Sequence, residues 1–119
     1  MNKRSIEKVS MDENAIHYAL NIISGKWRLK ILGEISKNET IRFNKLQKNV
    51  EGISSLMLTR CLKELIEYKL VDRKQFDEIP PHVEYSLTDL GRSLCPILHS
   101  LEVFGLNVIE ETKNSQKKS

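Results

Sequence analysis

Hydrophobic residues recur at helical spacing along much of the 119-residue chain, and they predict a series of short amphipathic helices. The first helix begins after Asp12, which can cap it, and the second covers about residues 26–36. A short helix over residues 43–49 follows, then a turn that contains Gly52, and then a longer helix that Ser54 or Ser55 caps. A helix, a short turn with glycine and a second helix form the layout of a helix-turn-helix.

The helix predicted over residues 54–68 separates an apolar stripe from a polar face. Leu58, Leu62 and Leu65 fall within roughly 40° of one another around the helix axis. The opposite face carries Leu56, Thr59, Arg60, Lys63, Glu64 and Glu67. A leading end with Ser, Thr, Arg and Lys suits insertion into a DNA major groove, where Arg pairs with guanine edges and Leu contacts a thymine methyl. The alternative for this segment alone is an ordinary amphipathic helix with a solvated face.

Two short runs after this helix predict a β-hairpin. The first run exposes Arg73 and Lys74, and the second alternates apolar with polar positions. The Pro80-Pro81 pair between them cannot continue a strand ladder, so we expect it at the open tip of the hairpin. A helix-turn-helix followed by such a hairpin is typical of a winged helix, with residues 71–87 as the wing.

A last helix begins near Thr88 and carries apolar residues spaced 4, 3, 4, 3, 4, which is a heptad seam. The seam consists of Leu90, Leu94, Ile97, Leu101, Phe104 and Val108. Pro96 lies within it and is expected to kink the helix or to split it into two helices. A domain this small cannot cover the whole seam, so we expect part of it to face a second subunit. Residues 1–11 are expected to form a flexible arm and residues 113–119 a disordered basic tail.

The composition is that of an ordinary soluble domain, with 39% hydrophobic and 29% charged residues. The net charge is only +3, but residues 42–74 hold eight basic against four acidic side chains. The positive excess therefore lies in the predicted helix-turn-helix, where Lys45 and Lys48 are expected to attract phosphate without sequence preference. The chain has neither an apolar run of membrane-spanning length nor a signal peptide, which favours a cytoplasmic protein.

Nothing in the chain predicts catalysis or a cofactor. There is no glycine-rich phosphate loop, no zinc-protease helix and no pair of carboxylates in a plausible pocket, so we do not expect an enzyme. Cys95 and His99 stand four residues apart, a spacing that can hold a metal ion, but two ligands are too few and Pro96 disturbs the spacing. Cys61 flanks the apolar stripe and is expected to be buried and unreactive, since a reactive thiol needs exposure and a lowered pKa.

Taken in order, several of these residues resemble the HxlR-type winged helix-turn-helix regulators of bacteria, which are relatives of the MarR group. The residues that carry the resemblance are Gly25-Lys26-Trp27, Phe43, Leu46, Gly52-Ile53-Ser54, Leu58, Leu62, Leu65, Pro80-Pro81, Val83-Glu84-Tyr85, Leu87-Thr88 and Leu90-Gly91-Arg92. The resemblance implies a mainly α protein with a small β-hairpin wing (α+β) and with N- and C-terminal dimerisation helices. It further implies a homodimer that places one recognition helix in each major groove of double-stranded DNA.

Carried over position by position, the resemblance implies two sets of DNA contacts. The recognition-helix contacts are Ser54, Ser55, Thr59, Arg60 and Lys63, and the polar face adds Leu56. The phosphate contacts are Arg42 and the wing residues Arg73, Lys74 and His82, and the charge pattern adds Lys45 and Lys48. The expected dimer interface comprises Ile16 and Leu20 in the first helix and Ile97, Leu101, Phe104 and Val108 in the last.

Three positions depart from the family pattern. Asn14-Ala15 stand where many members have a Cys-Pro that senses electrophiles or oxidants in some of them, which excludes thiol sensing at that site. Lys69 stands where the family favours glycine, and a left-handed backbone at this residue costs about 1 kcal/mol. His82 replaces a more usual arginine and lies near two acidic residues, so the wing is expected to bind phosphate weakly at neutral pH and better when His82 is protonated.

These observations predict a dimeric transcriptional regulator, more specifically a repressor, that reads an inverted repeat in DNA. A small aromatic effector in a cleft between the dimer helices and the DNA-binding lobe is a further hypothesis. The alternative function is a winged-helix protein–protein interaction module that binds no DNA. The acidic wing tip and small net charge favour that module slightly, whereas the basic middle of the chain argues against it.

Overall fold

The computed structural model describes residues 11–118, which form five helices and a three-stranded antiparallel sheet. In chain order the elements are α1 (Glu13–Ile23), α2 (Arg28–Ser36), β1 (Ile41–Arg42), α3 (Phe43–Asn49), α4 (Ser55–Glu67), β2 (Val71–Phe76), β3 (His82–Leu87) and α5 (Asp89–Lys118). The predicted winged helix-turn-helix is confirmed, with α3 and α4 as the two helices of the motif and β2 and β3 as the wing. The predicted arm lies outside the described residues, except for Met11.

Polar side chains cap α1 and α4 at the positions predicted from the sequence. The Asp12 carboxylate accepts a hydrogen bond from the backbone N–H of Ala15 (3.1 Å). Ser54 Oγ accepts one from the backbone N–H of Met57 (3.1 Å). Each bond satisfies one of the N–H groups that the first turn of a helix leaves without a partner, so each cap defines where its helix begins.

Helix α4 ends in a Schellman turn at Lys69. This residue has a φ angle of +66°, so the left-handed backbone considered for it from the sequence is confirmed. The N–H groups of Lys69 and Leu70 donate to the carbonyls of Ile66 (2.9 Å) and Leu65 (3.0 Å). These two bonds satisfy carbonyls that the end of the helix would otherwise leave unpaired, and they turn the chain sharply into β2.

The hydrophobic core lies between α2, α3, α4 and the sheet. Its buried residues are Ile31, Leu32, Ile35, Ile41, Leu46, Val50, Ile53, Leu58, Cys61, Leu62, Leu65, Leu70, Val71, Tyr85 and Leu87. The three leucines of the stripe predicted for α4 are among them, together with Cys61 beside the stripe. The strand order is β1–β3–β2, with Ile41 opposite Tyr85 and Val71 opposite Leu87. Alternate residues of β3 therefore face the core, which fixes the wing against the recognition helix.

Helix α1 and most of α5 lie outside this core. α1 buries none of its residues, and the apolar seam of α5 is exposed, from 40% at Leu101 to 66% at Phe104, apart from half-buried Leu94. The expected split at Pro96 does not occur, because α5 is continuous over 30 residues. A proline removes one hydrogen bond from a helix, and the turns on either side hold the remainder together. Among the described residues, the core therefore leaves most of the apolar seam of α5 uncovered.

Helix α5 also continues through Lys118, whereas the sequence predicted a disordered tail from residue 113. Residues 113–118 are polar and lack apolar periodicity, which led to that prediction. Extending an existing helix adds one backbone hydrogen bond per residue and requires no apolar face. Thr112 Oγ1 additionally donates to the Val108 carbonyl (2.8 Å) where the polar segment begins. No helix among residues 11–118 is both long and apolar enough to cross a membrane.

Candidate DNA-binding surface

The side of α4 that faces away from the core carries the residues predicted for DNA recognition. All of them are exposed: Ser54, Ser55, Leu56, Thr59, Arg60 and Lys63. Within residues 11–118, neither Arg60 nor Lys63 forms an ion pair or a side-chain hydrogen bond. Leu56 is 71% exposed, an unfavourable position for a leucine in water and a suitable one against a thymine methyl. This face therefore offers two unpaired cations, hydroxyl groups and one apolar contact.

Two of the hydroxyl groups on this face already bond to the backbone of α4, which limits what each can offer. Ser54 Oγ accepts from Met57 N–H, and Thr59 Oγ1 donates to the Ser55 carbonyl (2.8 Å). A hydroxyl has one donor hydrogen and two acceptor lone pairs. Ser54 can still donate its hydrogen to a phosphate or base acceptor, whereas Thr59 keeps free acceptor lone pairs only.

Helix α3 places further positive charge beside α4. Lys45 and Lys48 are exposed, and Leu46 between them is fully buried, so α3 is anchored by one face and basic on the other. Arg42 is exposed at the N-cap position of α3. In the turn between the helices Gly52 has a φ angle of +87°, a conformation that other residues rarely adopt. The turn therefore depends on glycine to set α3 and α4 at their angle.

The sheet places a carboxylate between two of the predicted phosphate contacts. Arg42 of β1 and Lys74 of β2 both stand opposite Glu84 of the central strand β3. Cross-strand partners share one face of a sheet, so these three side chains form a row with the negative charge in the middle, which is referred to below as the wing row. Glu84 was not predicted to be part of this surface, because strand pairing rather than spacing along the chain brings it there.

The side chain of His82 lies against the wing rather than facing outward. It is 12% exposed, and its ring stacks on Phe76 with 4.6 Å between the ring centroids. Its Nε2 lies 2.9 Å from Glu84 Oε2, and its Nδ1 lies 3.8 Å from Glu78 Oε2. Both ring nitrogens therefore face carboxylates, and this geometry does not support the predicted phosphate contact at His82. Arg73 and Lys74 are the exposed basic residues of the wing.

The Glu84 carboxylate is held in its ionised form. The hydrogen bond with His82 is the largest cause, and with smaller contributions from Thr40 and Arg42 it lowers the pKa of Glu84 from its ordinary value of 4.5, although burial opposes the shift. The wing row therefore keeps its central negative charge at neutral pH. A negative charge at this position weakens the attraction of the neighbouring cations for phosphate. The weak phosphate binding expected for the wing from the sequence stays a prediction.

The two cysteines contribute no reactive group to this surface. Cys61 is buried behind the recognition face, and its burial and the nearby Glu64 raise the pKa of its thiol, against the opposing effect of two arginines. The thiol is therefore protonated at neutral pH and a poor nucleophile. Cys95 is exposed on α5, and no group of three or more potential metal ligands among His, Cys, Asp and Glu occurs within residues 11–118.

The residues expected at a dimer interface are exposed on the two helices that the core does not cover. They are Ile16 and Leu20 on α1 and Ile97, Leu101, Phe104 and Val108 on α5, with exposures between 40% and 66%. A large patch of exposed apolar side chains usually marks a surface that binds a partner. The residues predicted to contact DNA and these apolar residues thus occupy different elements of the molecule.

Comparison with known proteins assigns this architecture. Residues 22–113 match the family described as HxlR-like helix-turn-helix. The chain belongs to the HxlR-like helix-turn-helix family. One relative of this HxlR-like protein is an uncharacterised HTH-type transcriptional regulator of Halalkalibacterium halodurans, with 37% identity over 97 residues, which cover 82% of this chain and 86% of the relative.

Solved structures of two transcriptional regulators assigned to the MarR family share the fold of the HxlR-like chain. The structure from Enterococcus faecalis V583 has a TM-score of 0.81 and 34% identity, and the match covers 90% of this chain and 96% of that one. The structure from Porphyromonas gingivalis W83 has a TM-score of 0.70 and 40% identity, over 83% and 96% of the two chains. The resemblance noted in the sequence and the winged-helix fold are both confirmed, and the chain is a transcriptional regulator of the helix-turn-helix type.

Proposed function

We propose that this HxlR-like protein is a homodimeric repressor that binds an inverted repeat in double-stranded DNA. The outer face of α4 carries the proposal, because two unpaired cations and several exposed hydroxyl groups lie on a helix that is anchored in the core. In the proposed complex α4 lies in the major groove, and Arg60 reads a guanine through two hydrogen bonds, worth about 1–3 kcal/mol of discrimination. The exposed cations around α4 supply attraction to phosphate: Arg42, Lys45, Lys48, Lys63, Arg73 and Lys74.

The dimer in this proposal forms through the apolar faces of α1 and α5. Its two α4 helices would lie about one helical turn of DNA apart, ~34 Å, so that each reads one half of the repeat. Exposed leucine, isoleucine and phenylalanine side chains at heptad spacing support this arrangement, since a helix of the partner would remove them from water.

Regulation by a small aromatic effector is a further part of the proposal. An open cleft of about 380 Å³ lies between α1, the end of α4 and the beginning of α5. Its walls include Tyr18, Ile22, Tyr68, Leu70, Leu90 and Leu94, which suit an aromatic molecule. Such a molecule changes DNA binding only if it binds one geometry of the dimer better than the other.

A fluorescence-anisotropy titration tests the DNA-binding proposal. The protein is titrated against DNA from just upstream of its own coding region and against shuffled DNA of equal length, at ~0.15 M salt. The proposal expects binding to the native DNA at least about a thousandfold tighter than to the shuffled DNA. Weak and equal binding to both would argue against an operator at this location. The same DNA placed in a reporter promoter should lower expression when the protein is present, and a rise would make it an activator.

A protein–protein interaction module without DNA binding is the second candidate function. The ionised Glu84 in the wing row and the exposed Asp77 and Glu78 at the wing tip favour it, because they disfavour contact with phosphate. Retention on heparin at ~0.2 M salt distinguishes the two candidates, since a groove-binding dimer should still be retained there and an acidic-winged module should elute.

A further inference from the structure

Arg28 stands where three helices meet. It is the first residue of α2, and its side chain is only 22% exposed. Its Nε and one terminal nitrogen lie 3.3 and 3.2 Å from Glu64 Oε1 on the recognition helix. Its other terminal nitrogen donates to the carbonyls of Asn21 (3.0 Å) and Ile22 (3.4 Å) at the end of α1. The guanidinium also lies 5.5 Å from the centre of the Tyr68 ring.

The contacts with Asn21 and Ile22 make Arg28 a cap for α1 that comes from a different helix. The last four carbonyls of a helix have no partner within it, and the negative end of the helix dipole is concentrated there. The last turn of α1 contains no basic residue of its own. Ser24 Oγ also donates to the Asn21 carbonyl (3.1 Å), and Arg28 adds a second donor there, a donor to Ile22 and the missing positive charge. A guanidinium can do this and hold a carboxylate at the same time, because its five N–H donors form a fixed planar fork.

Few other contacts determine where α1 lies relative to α4. α1 buries no residue in the core, although Ile22 packs against its edge. Tyr18 of α1 meets Tyr68 at the end of α4 edge to face, with 6.1 Å between the ring centroids. Among the hydrogen bonds and ion pairs of the described residues, those of Arg28 join α1 to α4 through one side chain. The contacts of Arg28 therefore have a large effect on the orientation of α1, since α1 has no fully buried residue that would fix its position independently.

We infer that Arg28 is a positioning residue that sets the orientation of α1 relative to the recognition helix. The inference rests on the proposed function, in which α1 takes part in the dimer and α4 reads DNA. Arg28 then determines the distance and tilt between the two recognition helices, and so which spacing of half-sites the dimer prefers. It contacts no DNA itself, because its side chain faces Glu64 and the end of α1.

The test measures preference for half-site spacing. An operator selected by the wild-type protein from a random DNA pool is remade with its half-sites moved one or two base pairs closer together or farther apart. Anisotropy titrations on these DNAs and on shuffled DNA compare the wild type with R28Q, R28K and E64Q. R92Q is the matched control, because Arg92 is also an ion-paired arginine, but its partners, Asp89 and the Leu87 carbonyl, lie within its own helix and two residues before it, away from α1 and α4. Thermal unfolding is recorded for every variant.

R28Q is expected to lose about tenfold in affinity at the preferred spacing, less than about twofold on shuffled DNA, and most of its preference among spacings. E64Q should also reduce the preference among half-site spacings, because it removes the ion pair between Arg28 and α4 while Arg28 still caps α1. R28K should retain part of the preference, since it keeps the charge but cannot hold both partners. R92Q should behave as the wild type.

Three outcomes would overturn the inference. In the first, R28Q and E64Q both keep the spacing preference of the wild type, even if their melting temperatures are lowered. Arg28 would then have a structural role only. The second is an equal loss on operator and shuffled DNA, which makes Arg28 a phosphate contact. If R28Q does not fold, E64Q decides alone. The third is a wild-type protein that selects no DNA, which overturns the proposed function and this inference with it, whereas the first two leave the proposed function intact.

Discussion

Lys69 is the non-glycine residue with a positive φ angle among residues 11–118. The left-handed backbone crowds its Cβ and costs about 1–2 kcal/mol relative to glycine. Lys69→Gly relieves that strain but makes the unfolded chain more flexible, which takes back about 0.4–1 kcal/mol. We expect the variant to be more stable by ~0.5–1 kcal/mol in urea unfolding.

Lys63→Gly is the matched control for this variant, because Lys63 is an exposed lysine within the regular part of α4. It should destabilise the protein by about 1 kcal/mol, the usual cost of glycine in a helix interior. If Lys69→Gly destabilises the protein as much as Lys63→Gly does, the left-handed backbone at Lys69 is not strained, and the lysine side chain makes a stabilising contact.

The lowered pKa of Glu84 predicts a pH-dependent contribution to stability. A carboxyl group whose folded pKa is lowered contributes stability above its ordinary pKa, here 4.5, and loses it as the pH falls through the folded value. Glu84→Gln should therefore destabilise the protein above pH 4.5, and the difference should shrink as the pH falls below that value. Urea unfolding from pH 3.5 to 7 measures it. Glu111→Gln on the exposed surface of α5 is the control, and a difference that grows toward low pH would reverse the assigned sign.

At the level of elements, α4 is joined to α5 by a tight backbone contact. The Leu70 carbonyl accepts from Thr88 N–H (3.0 Å), and Thr88 Oγ1 donates to the Lys69 carbonyl (2.7 Å) and accepts from Gly91 N–H (2.9 Å). Thr88 thus caps α5 while holding the turn that ends the recognition helix. A Cβ at Gly91 would lie 2.2 Å from the Leu70 oxygen, so only glycine fits.

Gly91→Ala should therefore push α5 away from the turn and destabilise the protein by about 2 kcal/mol or more, since backbone must move on both sides. Gly33→Ala is the control, because a Cβ there meets nothing within 4 Å. In the interior of α2 it should stabilise the protein by about 0.5–1 kcal/mol. The melting temperatures of the two variants should shift in opposite directions. Two shifts of the same sign would show that the close approach of Gly91 to Leu70 is not the cause.

The recognition helix and α3 should respond differently to loss of a cation. Arg60→Ala is expected to relax sequence preference at one base pair, because it removes readout worth about 1–3 kcal/mol. Lys48→Ala is expected to weaken binding to all DNA about equally and to reduce the slope of log affinity against log salt by about one. Titrations on operator and shuffled DNA at several salt concentrations measure both. If both variants lose specific and non-specific binding in equal proportion, the assignment of α4 to base readout is wrong.

The helix-turn-helix was predictable from the sequence because its signals are local. The Ser54 cap, the stripe of Leu58, Leu62 and Leu65, and the glycine turn all lie within a few residues of what they determine. Glu84 and Arg28 were not predictable, because strand register and a contact 36 residues away in sequence give them their partners. Their functional importance depends on tertiary geometry that periodicity does not contain.

For the whole molecule, the elongated shape follows from α5, which at 30 residues is about 45 Å long and extends beyond the core. The molecule measures 62 × 35 × 22 Å, and a large part of this helix extends past the core formed by the described residues 11–118. Apolar periodicity predicted this seam, but a single sequence does not say which copy of the chain covers it. The cleft proposed for an effector lies at the beginning of the same helix, so partner and effector would act on one region.

Leu101→Glu tests whether the seam is the dimer interface. A carboxylate at the centre of an apolar helix interface is costly because its charge would lose its water without gaining a partner. We expect the wild type to sediment as a dimer at micromolar concentration and the variant as a monomer. Leu106→Glu is the control, since Leu106 is also exposed and lies about 140° around α5 from Leu101.

The same pair of variants connects the dimer to DNA reading. Two linked recognition helices bind a repeat with a high effective concentration, whereas a monomer binds one half-site at a time. Leu101→Glu should therefore lose at least about a hundredfold in affinity for the full operator and little for a single half-site, with Leu106→Glu unchanged on both. An intact Leu101→Glu dimer would exclude this part of the seam from the interface. Dissociation of both variants would instead mean that the interface surrounds α5, as expected if α1 and α5 of the partner enclose it together.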